Sequence, residues 1–384
     1  LDFALDEPRF FSVSVAREAL PGFRSPEFAR EYRYNQYFLF AQDAFRLSPR
    51  LALNYGIRYE SFGAPKNTGV AKDPVLELGA GADLRQRLGG ARWSFPGGGD
   101  QTLYQPDRNN LALRFGFSYA LPGKTGTLLR GAYGIFYDRP FDNLWQNLRN
   151  NNVALATFPI TRPQTDYLEP ISRALTRYQG SVISGDFPPA TLFQPGVRDA
   201  YVHSYFFGAQ RQMSEGWTIE ANTLGSFGRK LITTDIFNRL RENPALGWIL
   251  YRANQGLSSY TALAAVARYR GRRGQFQLAY TWSHTIDNQS EPLAGDFFNL
   301  DFTRIGGGQE GALAAFSRQF DSRIDRGSSD FDQRQNLVFF SIWELPAAAS
   351  STKAGWLFRD WRFSQLAAFR TGFPYTVRAP SRFA

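Results

Sequence analysis

Two histidines and a handful of aspartates are the residues of this 384-residue chain best suited to chemistry. His203 is followed by Ser204, but neighbours on an extended strand project to opposite faces and cannot act as nucleophile and base. No spacing brings His284 to a serine and an acid. The chain has 0 cysteines, so disulfides and thiolate metal centres are excluded, and a histidine metal site would need carboxylate partners. Asp321, Asp325, Asp330 and Asp332 could offer oxygen ligands to calcium, but they lack the ordered spacing of a calcium loop. A solvated loop with salt bridges to Arg323, Arg326 and Arg334 fits them better. Gly123-Lys124-Thr125 matches the end of a phosphate-binding loop, yet Ser118 stands where the first glycine is required, on a strand. Gly97-Gly98-Gly99 reads as plain loop, and Asn288-Gln289-Ser290 fits a glycosylation sequon, irrelevant if the source is bacterial. The expectation is therefore no catalytic centre, no resident metal and no cofactor; the chain is not read as an enzyme.

The elements that carry these residues are five pairs of alternating apolar and polar segments. The clearest is Tyr34–Leu47 with Leu51–Phe62, joined by Ser48-Pro49-Arg50. In its second member Leu51, Leu53, Tyr55, Ile57 and Tyr59 share one face and Ala52, Asn54, Gly56, Arg58 and Glu60 the other, a period of two that marks a β-strand. The remaining pairs are Leu111–Leu121 with Thr127–Asp138, Tyr201–Met213 with Gly216–Ser226, Tyr260–Arg270 with Gln275–Thr285, and Arg334–Leu345 with Phe358–Thr371. Phe373–Val377 could open an eleventh strand. Connectors within pairs are short, whereas those between pairs run to roughly 50, 60, 30 and 45 residues. Segments of about ten residues suit a tilted strand crossing a bilayer, and alternating short and long connectors suit a transmembrane barrel with tight inner turns and large outer loops.

Composition agrees. Aromatics reach 16%, with 35 Phe, 18 Tyr and 8 Trp, while mean hydropathy is −0.36. No run of eighteen or more apolar residues exists, which argues against membrane helices. A basic excess of 44 to 34 gives a net charge of +10, but the arginines are scattered, without a dense block or a recognition module, so nucleic acid is not expected as a partner. Arginines inside a lumen or facing lipopolysaccharide and lipid headgroups account for the excess. Phe45, Trp217 and Trp361 fall at the short-turn ends of their segments, and Tyr37, Tyr59, Tyr137 and Trp282 at the far ends, where amphipathic rings favour the two headgroup boundaries.

The faces predicted to look inward carry Arg58, Glu60, Arg114, Arg130, Glu220, Asn222, Gln275 and Gln277. A wide barrel holding water or a plug accommodates such charges. Arg58, Glu60, Arg114, Arg130, Glu220 and Gln277 are the candidate lumen-lining residues. In the loops Gly63–Asn110, Asp138–Ala200 and Ile286–Phe331, Trp93, Trp145, Asp330 and Asp332 are the candidates for stacking on or hydrogen bonding a solute.

The strings themselves resemble the barrel of TonB-dependent outer-membrane receptors, particularly the Oar-like group. The resemblance rests on Tyr34–Asp43 running through Leu47-Ser48-Pro49-Arg50-Leu51 to Asn54–Glu60, on Leu111–Tyr119 with Arg130–Asp138, and on Gly208–Gln212, Ala279–Asp287 and Asp325–Arg334. It covers the chain from about Tyr34 to Val377. It implies a portion of about 10–11 antiparallel strands from a 22-stranded barrel with long extracellular loops, residing in the bacterial outer membrane. It further implies a plug, a small carboxypeptidase-regulatory-like domain and closing strands; none of these is found within residues 1–384. Leu1-Asp2-Phe3-Ala4 lacks the features of a secretion signal, so the expectation is an internal piece of a longer protein. Alone, such a half-barrel would leave two unpaired strand edges.

The function this implies is energy-coupled uptake of a scarce solute such as a siderophore, cobalamin, glycan or peptide. TonB–ExbB–ExbD would supply the energy through the missing N-terminal parts. The alternative is a surface adhesion or interaction protein that uses the barrel as a display scaffold.

Overall fold

The computed structural model describes residues 10–20, 24–123, 126–159, 189–293, 314–344 and 361–375. Ten strands form one antiparallel sheet in chain order: β1 Tyr37–Ser48, β2 Leu51–Ser61, β3 Asn110–Ala120, β4 Thr127–Asp138, β5 Ala200–Ser214, β6 Trp217–Phe237, β7 Ile249–Gly271, β8 Gly274–Asp287, β9 Gln335–Glu344 and β10 Arg362–Arg370. Two short segments join them: Ala190–Phe193 runs parallel to β7 and Gly327–Ser328 pairs with β8. Among the described residues the sheet path ends on β1 and β10, so the barrel is not closed. No helix among them is long and apolar enough to cross a membrane; the strands do the crossing.

Each predicted pair is joined antiparallel, the connector between β9 and β10 lying outside the described residues, and the described turns follow from local chemistry. Ser48 Oγ accepts from the amides of Arg50 and Leu51, closing the β1–β2 turn. Between β5 and β6, Gly216 has φ +85°, a left-handed conformation in which a Cβ would collide with the backbone of Arg270.

The sheet is inverted relative to a water-soluble protein. On one face Leu113, Leu263 and Trp282 are 50%, 51% and 56% exposed; on the other Glu60, Glu220 and Asn222 are 7%, 9% and 8% exposed. Register extends this pattern across strands. Phe45, Leu53, Phe117, Gly131, Phe207, Thr223 and Leu263 lie directly opposite one another along one cross-strand row of the apolar face. Phe117 lays its ring over Gly131, filling the gap there. Moving one such side chain out of water is worth about 1.5–3 kcal/mol, and with no second protein layer over this face among the described residues that burial falls to the bilayer.

Aromatic rings gather at both ends of the strands. At the short-turn end Trp217 packs 5.1 Å from Tyr269 and 6.0 Å from Phe276, and Tyr269 stacks 6.4 Å from Trp343. At the far end Tyr137 and Tyr201 are 5.5 Å apart and Tyr201 meets His203 at 5.3 Å. These are the two girdles expected at the headgroup boundaries.

Two expectations are corrected. The connector predicted between Ser226 and Tyr260 is mostly strand: β6 and β7 run to Phe237 and from Ile249, leaving a tip of residues 238–248. Thr233, Thr234, Asp235, Ile236 and Phe237 are all buried, so both faces are covered and the period of two disappears from the sequence. The expected eleventh strand is not formed at Phe373–Tyr375, and its last two positions lie outside the described residues.

Beyond the β6–β7 extension the long connectors make a folded layer of their own. One core joins Leu76, Leu88, Ala91, Leu192, Phe237 and Ile249, among others. The helix Leu84–Gly89 contributes Leu88, its start held by Asp83, which accepts from the Gln86 amide at 2.8 Å. A second core joins Leu144, Trp145, Leu148, Phe193, Val197 and Leu293. Residues 10–16 pair with 153–159, and Arg17 then ties the layer together. It donates to the carbonyls of Asn151 and Val153 at 2.9 Å each and lies 4.3 Å over the Trp93 ring. Burial lowers the pKa of Arg17 to about 10.

Candidate functional site

The polar face of β4 to β8 carries a connected ion-pair network. Glu220 on β6 accepts from Arg130 on β4 at 2.7 Å, from Arg268 on β7 at 3.0 Å and from Asn222 at 2.9 Å. Arg268 also reaches Gln277 on β8 at 3.2 Å. Arg130 and Glu220 sit two strands apart, a span of about 9–10 Å, and the strand between them presents Gly208 opposite both Arg130 and Asn222. A Cβ on Gly208 would run into the Asn222 side chain, so the missing side chain is what lets the network cross β5. Three of the predicted lumen residues, Arg130, Glu220 and Gln277, are thus brought together. The sequence reading missed Arg268, their common partner, although its register opposite Gln277 follows from the alternation along β7.

The other three candidates lie on the same face nearer β1. Arg58 pairs with Glu60 at 2.7 Å and lies 5.2 Å over Phe38. Arg114 lies 4.8 Å over the Phe136 ring, and among the described residues it makes no ion pair. Directly opposite Arg114 on its two neighbouring strands stand Gly56 and Gly134. A cavity of about 990 Å³ opens on this stretch of wall.

On the apolar face, Asp43 of β1 accepts a hydrogen bond from the Tyr55 hydroxyl at 2.8 Å, and the Tyr133 hydroxyl meets His203 Nδ1 at 2.6 Å. His203 and Ser204 take opposite faces: His203 lies opposite Ile135 and Phe227, and Ser204 lies opposite Gly134 and Ser226.

At the outer ends of β3 and β5, Asp199 accepts from Asn110 Nδ2 at 2.6 Å, and Asp107 accepts from the Asp199 amide at 3.2 Å and from Arg198 at 2.9 Å. Burial raises the Asp199 pKa to about 6; the Asn110 bond opposes that shift and the charge of Asp107 adds to it. Tyr104 is held above its ordinary value by burial and then by the charge of Asp199.

The four loop candidates fare differently. Trp145 is 3% exposed and packs edge-on against Tyr32 at 4.7 Å, so its ring holds the second core and cannot stack on a solute. Trp93 is half-buried under Arg17. Asp332 is buried, accepting from the Thr285 amide at 2.8 Å and pairing with His284 at 3.0 Å and Arg334 at 3.2 Å. It pins the last loop to the top of β8, and the expected bridge to Arg334 is formed. Asp330 alone of the four is exposed. Asp325 accepts from the Ser317 amide at 2.8 Å, and Asp321 faces Arg318 at 4.0 Å. Gly123 lies in the β3–β4 turn; Lys124 and Thr125 fall outside the described residues. Among the described residues no group of three or more His, Asp or Glu is arranged to hold a metal ion.

Comparison with known proteins gives one family. The family model described as an outer membrane beta barrel domain matches residues 2–383. No curated protein matches the sequence. Among solved structures, the FrpB iron transporter of Neisseria meningitidis (F3-3 variant) is 8% identical, with 81% of this chain and 30% of that one covered at a TM-score of 0.41. The copper transporter OprC is 9% identical over 82% and 33% at 0.43. The siderophore receptor PirA of Pseudomonas aeruginosa is 11% identical over 80% and 37% at 0.39. This chain spans about a third of the length of these structures.

Proposed function

This chain belongs to the outer membrane beta-barrel domain family, and from that membership we propose that it forms part of the wall of an energy-coupled receptor taking up a scarce solute. It is an antiparallel β-barrel domain of the bacterial outer membrane, with lipid on its apolar face. The uptake reading is supported by the inner wall: an inward network of Arg130, Glu220, Arg268 and Gln277 that a dry, packed interior would penalise and an aqueous passage solvates. The folded outer layer stands over that passage as a preformed receiving surface. Resemblance of the strand motifs to TonB-dependent receptors supports coupling to the inner membrane through TonB–ExbB–ExbD, which would engage parts of the protein other than this segment.

The test compares cells carrying the intact full-length gene with a deletion strain in a defined medium. Depletion of solutes is followed by mass spectrometry with and without a protonophore. The proposal expects at least one siderophore, corrinoid, glycan or peptide to be depleted only with the gene present and the proton gradient intact. Matching depletion profiles in the two strains, accompanied by a cell-contact defect in the deletion strain, would replace uptake by the adhesion-scaffold reading.

A further inference from the structure

The cavity on the inner wall of β1 to β5 has an unusual composition for a strand face. Its floor is nearly bare: Gly56, Gly116, Ala132, Gly134 and Ser204 occupy adjacent cross-strand rows. Its sides are Phe40, Phe136 and Phe206 with two guanidinium groups, Arg58 and Arg114. A volume of about 990 Å³ lies at the upper end of the usual range for small-molecule sites, about 300–1,000 Å³.

The two arginines are not equivalent. Arg58 is neutralised by Glu60 at 2.7 Å. Arg114 has an aromatic ring below it and a glycine on either side, and no carboxylate pairs with it among the described residues. The cation–π contact fixes the guanidinium plane but leaves its outward N–H groups free to meet a planar anion in bidentate fashion. Gly134 makes room for the Phe136 ring, which would lie 2.9 Å from a Cβ there, and Gly56 for the neighbouring Gln42, also 2.9 Å from a Cβ; the open floor beside Arg114 is at Gly116.

Resting on the uptake reading, we propose that this stretch of wall is a subsite for the anionic end of the solute, a carboxylate or phosphate carried on a flat apolar body. Arg114 meets the charge, Phe40, Phe136 and Phe206 flank the apolar part, and Arg58 with Glu60 forms a neutral rim.

The experiment uses the full-length receptor in detergent micelles and three isosteric probes that differ in charge: benzoate, benzamide and benzamidine. Saturation-transfer NMR reads weak binding directly. The subsite predicts that benzoate binds measurably more tightly than benzamide and that benzamidine does not bind. Arg114→Gln should weaken benzoate by about tenfold, the loss of one charge-assisted contact, and leave benzamide unchanged. Arg58→Gln should have a smaller effect. A Cβ on Gly116 would meet the Gly131 carbonyl at 3.5 Å and the Ala132 Cβ at 3.9 Å, ordinary contacts, so Gly116→Val should fold while filling the floor and abolishing the benzoate signal. Equal binding of benzoate and benzamide by the wild type, or benzoate binding indifferent to both Arg114→Gln and Gly116→Val, would overturn the subsite. Either result leaves uptake standing, because the depletion assay is independent of these probes; conversely, selective benzoate binding with no energised depletion would keep the anion site and remove the transport reading.

Discussion

Replacing Glu220 by glutamine removes one charge from the centre of the inner-wall network while keeping its shape. The wild-type carboxylate accepts from Arg130 at 2.7 Å, Arg268 at 3.0 Å and Asn222 at 2.9 Å. A hydrogen bond to a charged group contributes about 1.5–3 kcal/mol when sheltered, so two arginines would give up to roughly 3–6 kcal/mol. The arginine side chains are 36% and 46% exposed, however, and water screens them. Exposed pairs contribute only about 0.2–1 kcal/mol each, which brings the expected cost of Glu220→Gln, with its two arginines, to about 0.4–2 kcal/mol. Urea unfolding of the full-length protein in lipid vesicles, followed by tryptophan fluorescence, measures it. A double-mutant cycle with Arg268→Gln should show coupling of about 0.5–1.5 kcal/mol, and one with Arg58→Gln, which pairs elsewhere with Glu60, should show none. If Glu220→Gln is neutral and uncoupled to Arg268, water has replaced these contacts and the network does not organise the wall.

Three further outcomes follow from the same structure. Leu263 and Ala264 are adjacent but face opposite ways, so Leu263→Arg should cost about 2–4 kcal/mol at the bilayer midplane, and Ala264→Arg, on the polar face, clearly less in the same vesicle assay. Tyr55→Phe strips Asp43 of its hydrogen bond on the lipid side and should lower the unfolding midpoint, with Asp43→Asn restoring it in the Tyr55→Phe background. Asp199 binds its proton more tightly folded than unfolded, its pKa rising from 3.8 to about 6; its favourable contribution is therefore complete in acid and lost as pH climbs from about 4 to 6. Hydrogen exchange in the outer layer should accelerate across that window, and Asp199→Asn should flatten the profile.

The sheet was legible because every strand pair that divides lipid from water shows its two faces in the sequence. Leu111, Leu113 and Phe115 against Ala112, Arg114 and Gly116 is such a record, and the register confirms it. The same logic failed wherever both faces are covered. Residues 233–237 are buried all round and carry no alternation, so the extension of β6 and β7 was hidden. Trp145 and Asp332 were misjudged for a related reason: loop position suggested access, whereas the outer layer has a core of its own, and a ring or carboxylate inside it serves packing. Arg268, on the strand beside Glu220, follows from the alternation along β7, but the pattern along the chain does not say that Arg130 reaches across two strands to the same carboxylate. That reach depends on Gly208, whose role appears only once the strands are side by side.

The claim beneath all of this is that alternate side chains of these strands face lipid and water. Because these 384 residues contain no cysteine, single cysteines introduced here carry no background from this segment, once any cysteine elsewhere in the full-length protein is replaced by serine. Fluorophores at positions 113, 263 and 282 on one face and 114, 264 and 277 on the other, in the full-length protein reconstituted with brominated lipid, give the most direct measurement. The first three should be quenched by bromine and shielded from aqueous iodide, and the second three should show the reverse; quenching of both sets alike, or of the polar face by lipid, would contradict the account.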